Sequence, residues 1–222
     1  MDMAAEKSED LLVVKAGGSL TTEIPALCAL LVASGRDLLV VPGGGRFADA
    51  VRDSGAEDTP AHWMAICAME EMAWLWVAAG ATPVEGLHDP VVGVSVLLPY
   101  RVMRQADPLP HSWDVTSDTI AAWVATARDA PPLLLLKSVD GICCEGVLCE
   151  SVSGGEMEVS TMGGTDVVDP IFLSFARASG VRWAIVNGRK PDRIRSFLEG
   201  GRPPPAPILI HIFNSFDAEL MS

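Results

Sequence analysis

Two lysines, one aspartate and two glycine-rich turns are the residues of this chain whose types and spacing could do chemistry. Lys15 closes the apolar run Leu11-Leu12-Val13-Val14 and is followed by Ala16-Gly17-Gly18-Ser19-Leu20. Two glycines let the backbone turn sharply, and a helix pattern from about Glu23 then aims N–H groups and a helix N-terminus at whatever lies in front. That arrangement attracts phosphate, and Lys15 adds a full positive charge. A second turn, Pro42-Gly43-Gly44-Gly45-Arg46, follows the apolar run 37–41. Asp118 stands at a helix start, and Lys137 ends the run Leu133-Leu134-Leu135-Leu136. Phosphoryl transfer needs donors around the migrating group and alignment of two reactants more than covalent help. Two lysines, two glycine turns and a carboxylate that holds a lysine in place would supply those parts.

Two better-known phosphate loops fit less well. A Walker A loop puts its lysine after the glycines, whereas Lys15 precedes them. Gly43-Gly44-Gly45-Arg46-Phe47-Ala48 fits the dinucleotide pattern Gly-x-Gly-x-x-Ala after a strand. A ribose-binding acid should then end the next strand about 20 residues on. That region is Pro60-Ala61-His62-Trp63, a helix start.

The elements that must position these residues alternate. Apolar runs at 11–14, 37–41, 91–98, 133–136, 181–186 and 208–213 read as strands. Helical patterns cover 23–34, closed by Gly35, then 46–53, 61–79, 99–105, 119–128, 169–179 and 191–198. Ser117 or Asp118 is the expected cap of the 119–128 helix. Residues 151–165 read as a polar, glycine-rich flap, and 203–207 as a stiff proline connector. Alternation of this kind predicts a mainly parallel sheet covered on both faces, with ligands at the strands' carboxyl ends. On the 61–79 helix, Trp63, Cys67, Glu70, Trp74 and Val77 share one face. Apolar residues spread nearly all round it, which suggests a core side and a subunit contact, hence a homo-oligomer.

Composition narrows the partners. The chain has 222 residues, 49% of them hydrophobic, and a net charge of −13 from 16 basic and 29 acidic residues. This suits one domain with a real core and argues against a nucleic-acid footprint. The few cations matter, above all Lys15, Arg46, Arg52, Arg104 and Lys137. Residues 1–10 lack the apolar core of a secretion signal. The most membrane-like stretch, 61–81, carries His62, Glu70 and Glu71, so no membrane association is expected. Five cysteines without a histidine at zinc spacing read as reduced core thiols in a cytoplasm, with no protein-held metal.

Four motifs in order carry a resemblance: Lys15-Ala16-Gly17-Gly18-Ser19, Pro42-Gly43-Gly44-Gly45, Ser117-Asp118-Thr119-Ile120-Ala121 and Lys137-Ser138-Val139-Asp140-Gly141. Together they resemble the amino acid kinase superfamily, which includes acetylglutamate, uridylate and isopentenyl phosphate kinases. The stretches around Gly43, His62 and Trp113 are similar to the small kinases of methanofuran biosynthesis, which phosphorylate an aminomethyl-furanmethanol phosphate to its diphosphate. The resemblance implies an αβα sandwich with a mainly parallel central sheet. Residues 1–130 would form the acceptor side and 131–222 the side for ATP with Mg²⁺. It implies Lys15 as the first catalytic lysine and Asp118 as the lysine-organising aspartate. Gly17, Gly18 and Ser19, Val139, Asp140 and Gly141, and Gly163, Gly164 and Thr165 would be on the nucleotide. Many relatives carry a further lysine after a late Gly-Gly; here Met162-Gly163-Gly164-Thr165-Asp166 has none, and Lys137 is the candidate to take its role. Gly44, Gly45, Arg46, Arg52, His62, Glu70, Trp113 and Asp114 are the candidates for a small phosphorylated acceptor. The alternatives are another phosphate-acceptor kinase, for isopentenyl phosphate or a nucleoside monophosphate, and a non-catalytic nucleotide or molybdate store.

Overall fold

Buried-type runs of four or five residues become the strands of one sheet. The computed structural model describes residues 11–129, 132–140, 143–144, 147–148, 167–200 and 209–211. The flap at 151–165, Gly141, the Gly163-Gly164-Thr165 motif and the 203–207 connector lie outside them. The strands are β1 (Leu12–Ala16), β2 (Leu38–Pro42), β3 (Thr82–Val84), β4 (Val94–Leu97), β5 (Leu133–Lys137), the two-residue pair β6 (Cys143–Cys144) and β7 (Val147–Leu148), β8 (Trp183–Asn187) and β9 (Leu209–His211). Seven of them make one sheet in the order β3-β4-β2-β1-β5-β8-β9, parallel except for β9; β6 and β7 pair antiparallel. The helices are α1 (Ile24–Ala33), α2 (Gly45–Asp53), α3 (Asp58–Ala78), α4 (Pro99–Ala106), α5 (Ser117–Ala127), α6 (Phe172–Ser179) and α7 (Pro191–Leu198).

The strands are apolar throughout because both faces are covered. Alternate residues feed two cores. Val13, Leu39, Leu133 and Leu135 meet α5 and α6 residues on one face, whereas Leu12, Val14, Leu38, Leu134 and Leu136 meet α1 and α7 residues on the other. Helix α3 supplies both, with Ile66 and Met69 to the first and Met72 and Trp76 to the second.

Several expectations need correction. Strand β3 went unread because it is a three-residue edge strand containing Pro83, where a missing N–H can be tolerated. Helix α3 begins at Asp58, three residues earlier than expected. The segment before α1 is not α-helical: Gly18–Glu23 forms a separate 3₁₀ turn. The expected single face of α3 is divided, with Cys67 and Trp74 exposed, so Cys67 is no core thiol, whereas Cys28 is buried. Gly35 does follow α1 in the left-handed region, at φ +67°. Among the described residues, no helix is long and apolar enough to cross a membrane.

Candidate active site

Strand register brings the two lysines to one place. Lys15 pairs with Leu135 across β1 and β5, so Lys137, two residues on, emerges on the same face one step closer to the carboxyl edge. That face is the one α5 covers, and the first turn of α5 carries Asp118. Its Oδ2 accepts a hydrogen bond from Lys137 Nζ at 2.6 Å. Its Oδ1 lies 2.8 Å from Lys15 Nζ, an ion pair whose angle falls outside hydrogen-bond range. Lys15 and Asp118 are almost fully buried, at 4% and 3% exposure. Burial alone would push the Asp118 carboxyl upward; the charges of Lys15 and Lys137 and the Lys137 hydrogen bond outweigh it and hold it below its ordinary value. Lys137 is pushed down to about 8, by burial first and by the charge of Lys15 second, with Asp118 pulling the other way. One carboxylate thus holds two ammonium groups together and leaves the cluster with a net positive charge.

The two glycine turns close the floor beside this cluster. A Cβ on Gly18 would overlap the Gly45 amide, and one on Gly43 would come within 2.7 Å of Gly18 N. Only glycine permits the turns to touch. Gly45 also sits at φ +51°, a conformation that favours glycine. Neither the Gly18 turn nor α2 has a side-chain cap on its N-terminus, so their leading N–H groups are free of that competition.

All this faces a cavity of about 520 Å³. Lys15, Gly18, Ser19, Gly44, Gly45, Arg46, Arg52, His62, Trp113, Asp118 and Lys137 line it. Among the described residues neither Arg46 nor Arg52 has a carboxylate partner; their guanidinium groups lie over Phe47 and Trp113, at 5.0 and 4.1 Å from the ring centroids. They remain able to meet an anion.

Other candidates fall elsewhere. Gly17 is buried outside the cavity, and its N–H donates to Leu136 O at 2.9 Å, tying β1 to β5. Glu70 does not line the cavity: its Oε2 accepts the Tyr100 N–H at 2.7 Å, which caps the start of α4. Asp114 is exposed outside the cavity, and Arg104 stacks on Trp63 at 4.2 Å. Val139 and Asp140 also lie off the cavity. Asp140 is bonded by Lys190 at 2.7 Å, Asn187 at 3.0 Å and Arg193 at 2.7 Å, and the first two of these bonds lead in lowering its carboxyl.

His62 is buried, with no partner for Nε2 among the described residues, and its pKa is lowered to about 4 by burial and then by the neighbouring His111. His111 is held by Asp107 at 2.8 Å and Thr59 at 3.0 Å. Ligand atoms of His62, Asp107 and His111 lie within 4.8 Å of one another, a spacing that suits a metal. The two rings, however, stack 4.2 Å apart at an angle of 21°, so their in-plane lone pairs do not converge on one ion.

Sequence reasoning missed Asp49, Asp58, Thr116, Ser117 and Asp169, all of which line the cavity. Thr116, not Ser117 or Asp118, caps α5, accepting the Asp118 N–H at 3.4 Å. Asp169 accepts bonds from the N–H and hydroxyl groups of both Thr116 and Thr119 and from the Phe172 N–H. Its one sequence signal is the dipeptide Asp169-Pro170 ahead of a helix, a cap-like pattern.

Known proteins resemble the chain in sequence and fold. Residues 93–187 match the amino acid kinase family. A uridylate kinase from Archaeoglobus fulgidus superposes with a TM-score of 0.64 at 18% identity, covering 91% of this chain and 100% of that one. A UMP kinase from Ureaplasma parvum gives 0.67 at 15%, covering 92% and 100%. The chain has the amino acid kinase fold. An aspartate kinase from Synechocystis also shares it, at 0.65 and 16%, with 92% of this chain covering 40% of that longer one. Among sequence relatives of this amino acid kinase-fold chain is the [5-(aminomethyl)furan-3-yl]methyl phosphate kinase of Methanocaldococcus jannaschii. It is 26% identical over 206 residues, covering 85% of this chain and 93% of that protein. With the family match and that kinase relative, the chain is a phosphotransferase.

Proposed function

We propose that the chain transfers the γ-phosphoryl group of ATP to a small phosphate monoester, an aminomethyl-furanmethanol phosphate by analogy with the relative named above. The observation that carries this reading is the buried Lys15–Asp118–Lys137 cluster at the floor of a cavity whose wall holds Arg46 and Arg52, which have no carboxylate partner among the described residues. A kinase acting on a neutral alcohol has no need of two further cations on its acceptor side. An acceptor that already bears a phosphate does.

In this reading Lys15 and Lys137 stabilise the charge that spreads over the migrating group, and Asp118 keeps the two ammonium groups at a fixed separation. The Gly18 turn and the Gly44-Gly45 start of α2 offer N–H groups to phosphate oxygens. Arg46 and Arg52 hold the acceptor phosphate, and Trp113, already under Arg52, offers a flat apolar wall to an aromatic ring. Mg²⁺ would neutralise charge on the nucleotide and would rest on phosphate and water oxygens, because both Asp118 oxygens already face ammonium groups.

We take residues 1–222 as one domain, with ATP on the C-terminal half, and a cytoplasmic location follows from the need for ATP. Exposed Met64 and Trp74 on α3 support a homo-oligomer built on that helix. A stable monomer at micromolar concentration in light scattering would count against it. The test of function is a panel of phosphorylated acceptors at saturating ATP and Mg²⁺, read by ³¹P NMR. The expected product is ADP with a new diphosphate signal from the aminomethyl-furan acceptor. Turnover only of isopentenyl phosphate or a nucleoside monophosphate would replace the acceptor, and nucleotide bound without turnover would favour storage.

A further inference from the structure

The geometry points to Asp169 as the positioning residue of this site, holding the first turn of α5 so that Asp118 reaches Lys15 and Lys137 at once. Asp169 is 6% exposed and touches neither lysine. Its Oδ2 accepts the Thr116 N–H, the Thr116 hydroxyl and the Thr119 N–H, each at 3.0 Å. Its Oδ1 accepts the Thr119 hydroxyl at 2.6 Å and the Phe172 N–H at 2.8 Å. Five donors converge on one carboxylate. Four of them belong to the two residues that flank Ser117 and Asp118, and the fifth belongs to the start of α6.

A carboxylate is the side chain that can do this. Every partner is a donor, and an ionised carboxylate has two oxygens and nothing to donate. The bonds also cross the molecule: Asp169 lies 50 residues beyond Thr119, and α6 starts three residues after it. Helix α5 packs its apolar face on β1, which fixes the helix axis, but sliding along that axis or fraying of the first turn is resisted at the Asp169 clamp. A shift of under 1 Å there would break the simultaneous contacts at 2.8 and 2.6 Å that Asp118 makes. Asp169 therefore acts through Asp118 rather than on a substrate.

The consequence has a signature. Lys137 is faced by Lys15 from β1 and by Asp118 from α5, and Asp118 opposes the loss of its proton. If Asp118 retreats, the Lys137 ammonium loses that support and gives up its proton at lower pH. A residue that merely adds stability would leave this titration where it was.

The kinetic part of this inference rests on the phosphotransfer reading; the titration does not. Asp169→Asn keeps the shape but turns one oxygen into a donor facing donors. The expected result is a kcat lower by roughly 10-fold or more, as for residues that orient metal ligands, with little change in KM for ATP. The alkaline limb of the kcat profile should move to lower pH. Should that variant not fold, Thr119→Val, which removes one donor, and Thr119→Ser, which keeps it, carry the test. The valine enzyme should shift in the same direction and the serine enzyme should stay near normal. If the unaltered protein transfers no phosphoryl group to any acceptor, the phosphotransfer reading fails. NMR titration of the Lys137 side chain in the same proteins then still decides the role of Asp169. An unshifted Lys137 titration in folded Asp169→Asn, or identical behaviour of the two Thr119 variants, would overturn it.

Discussion

Two carboxylates, Asp118 in the first turn of α5 and Asp140 in the loop after β5, each sit between two cations, yet one is buried and the other is not. Asp118 joins Lys15 and Lys137 in the interior, and its side chain is 4% exposed; Asp140 joins Lys190 and Arg193 with 34% of its side chain in solvent. The first cluster lines the cavity and the second does not. Water screens the second, so its ion pairs contribute little and cost little. In the first, each charge depends on the others, because an unpaired charge there would be costly. Buried against a cavity, the three-body arrangement is the centre we propose for phosphoryl transfer; in solvent it is a surface staple.

Removing each centre should reveal that contrast. Asp118→Asn leaves two ammonium groups buried without their anion and should cost about 3–5 kcal/mol of stability, measurable by urea unfolding, together with most of the activity. A loss below 1 kcal/mol would mean the cluster is hydrated after all. Lys15→Met keeps the Lys137–Asp118 pair intact and should lower kcat by roughly 10²–10³, by analogy with loss of one preorganised donor. A near-normal kcat would remove Lys15 from the mechanism.

The alkaline range sharpens the comparison further. Lys137 in the folded protein titrates at about 8, against an ordinary value of 10.5. Between those values the unfolded chain binds more protons than the folded one, so the contribution of Lys137 to stability rises with pH. Activity should move the other way, falling above pH about 8 as the ammonium is lost. Parallel loss of activity and stability would contradict this assignment. The smallest effect belongs to Asp140→Asn: a cost of at most about 1 kcal/mol and an unchanged kcat. A rise in KM for ATP alone would show that the outer cluster nevertheless attends the nucleotide.

The buried centre was legible in the sequence because its parts are local signals. A charged residue at the end of an apolar run, as at Lys15 and Lys137, must emerge at the sheet edge, although only the register of β1 against β5 puts both on one face. Paired glycines ahead of helices mark Gly18 and Gly45 just as directly. The misread residues depend on long-range packing. Glu70 shares a helical stripe with Trp63 and Trp74, and only the arrival of α4 decides that it caps Tyr100 instead of meeting a ligand. Asp169 is fixed by partners some 50 residues away, which no local pattern announces. Thr116 takes the cap from Ser117 by one residue, a shift that the capping preferences cannot resolve.

The central claim is that one carboxylate makes two lysines act as a single unit in phosphoryl transfer. A double-variant cycle tests it most directly: kcat/KM for the acceptor in Lys137→Met, Asp118→Asn and the pair. If the two act as one, each single variant should lose most of what the pair loses, and the double variant should be far less damaged than the product of the singles. Fully multiplicative losses would show that Lys137 and Asp118 work independently, and the account would fail.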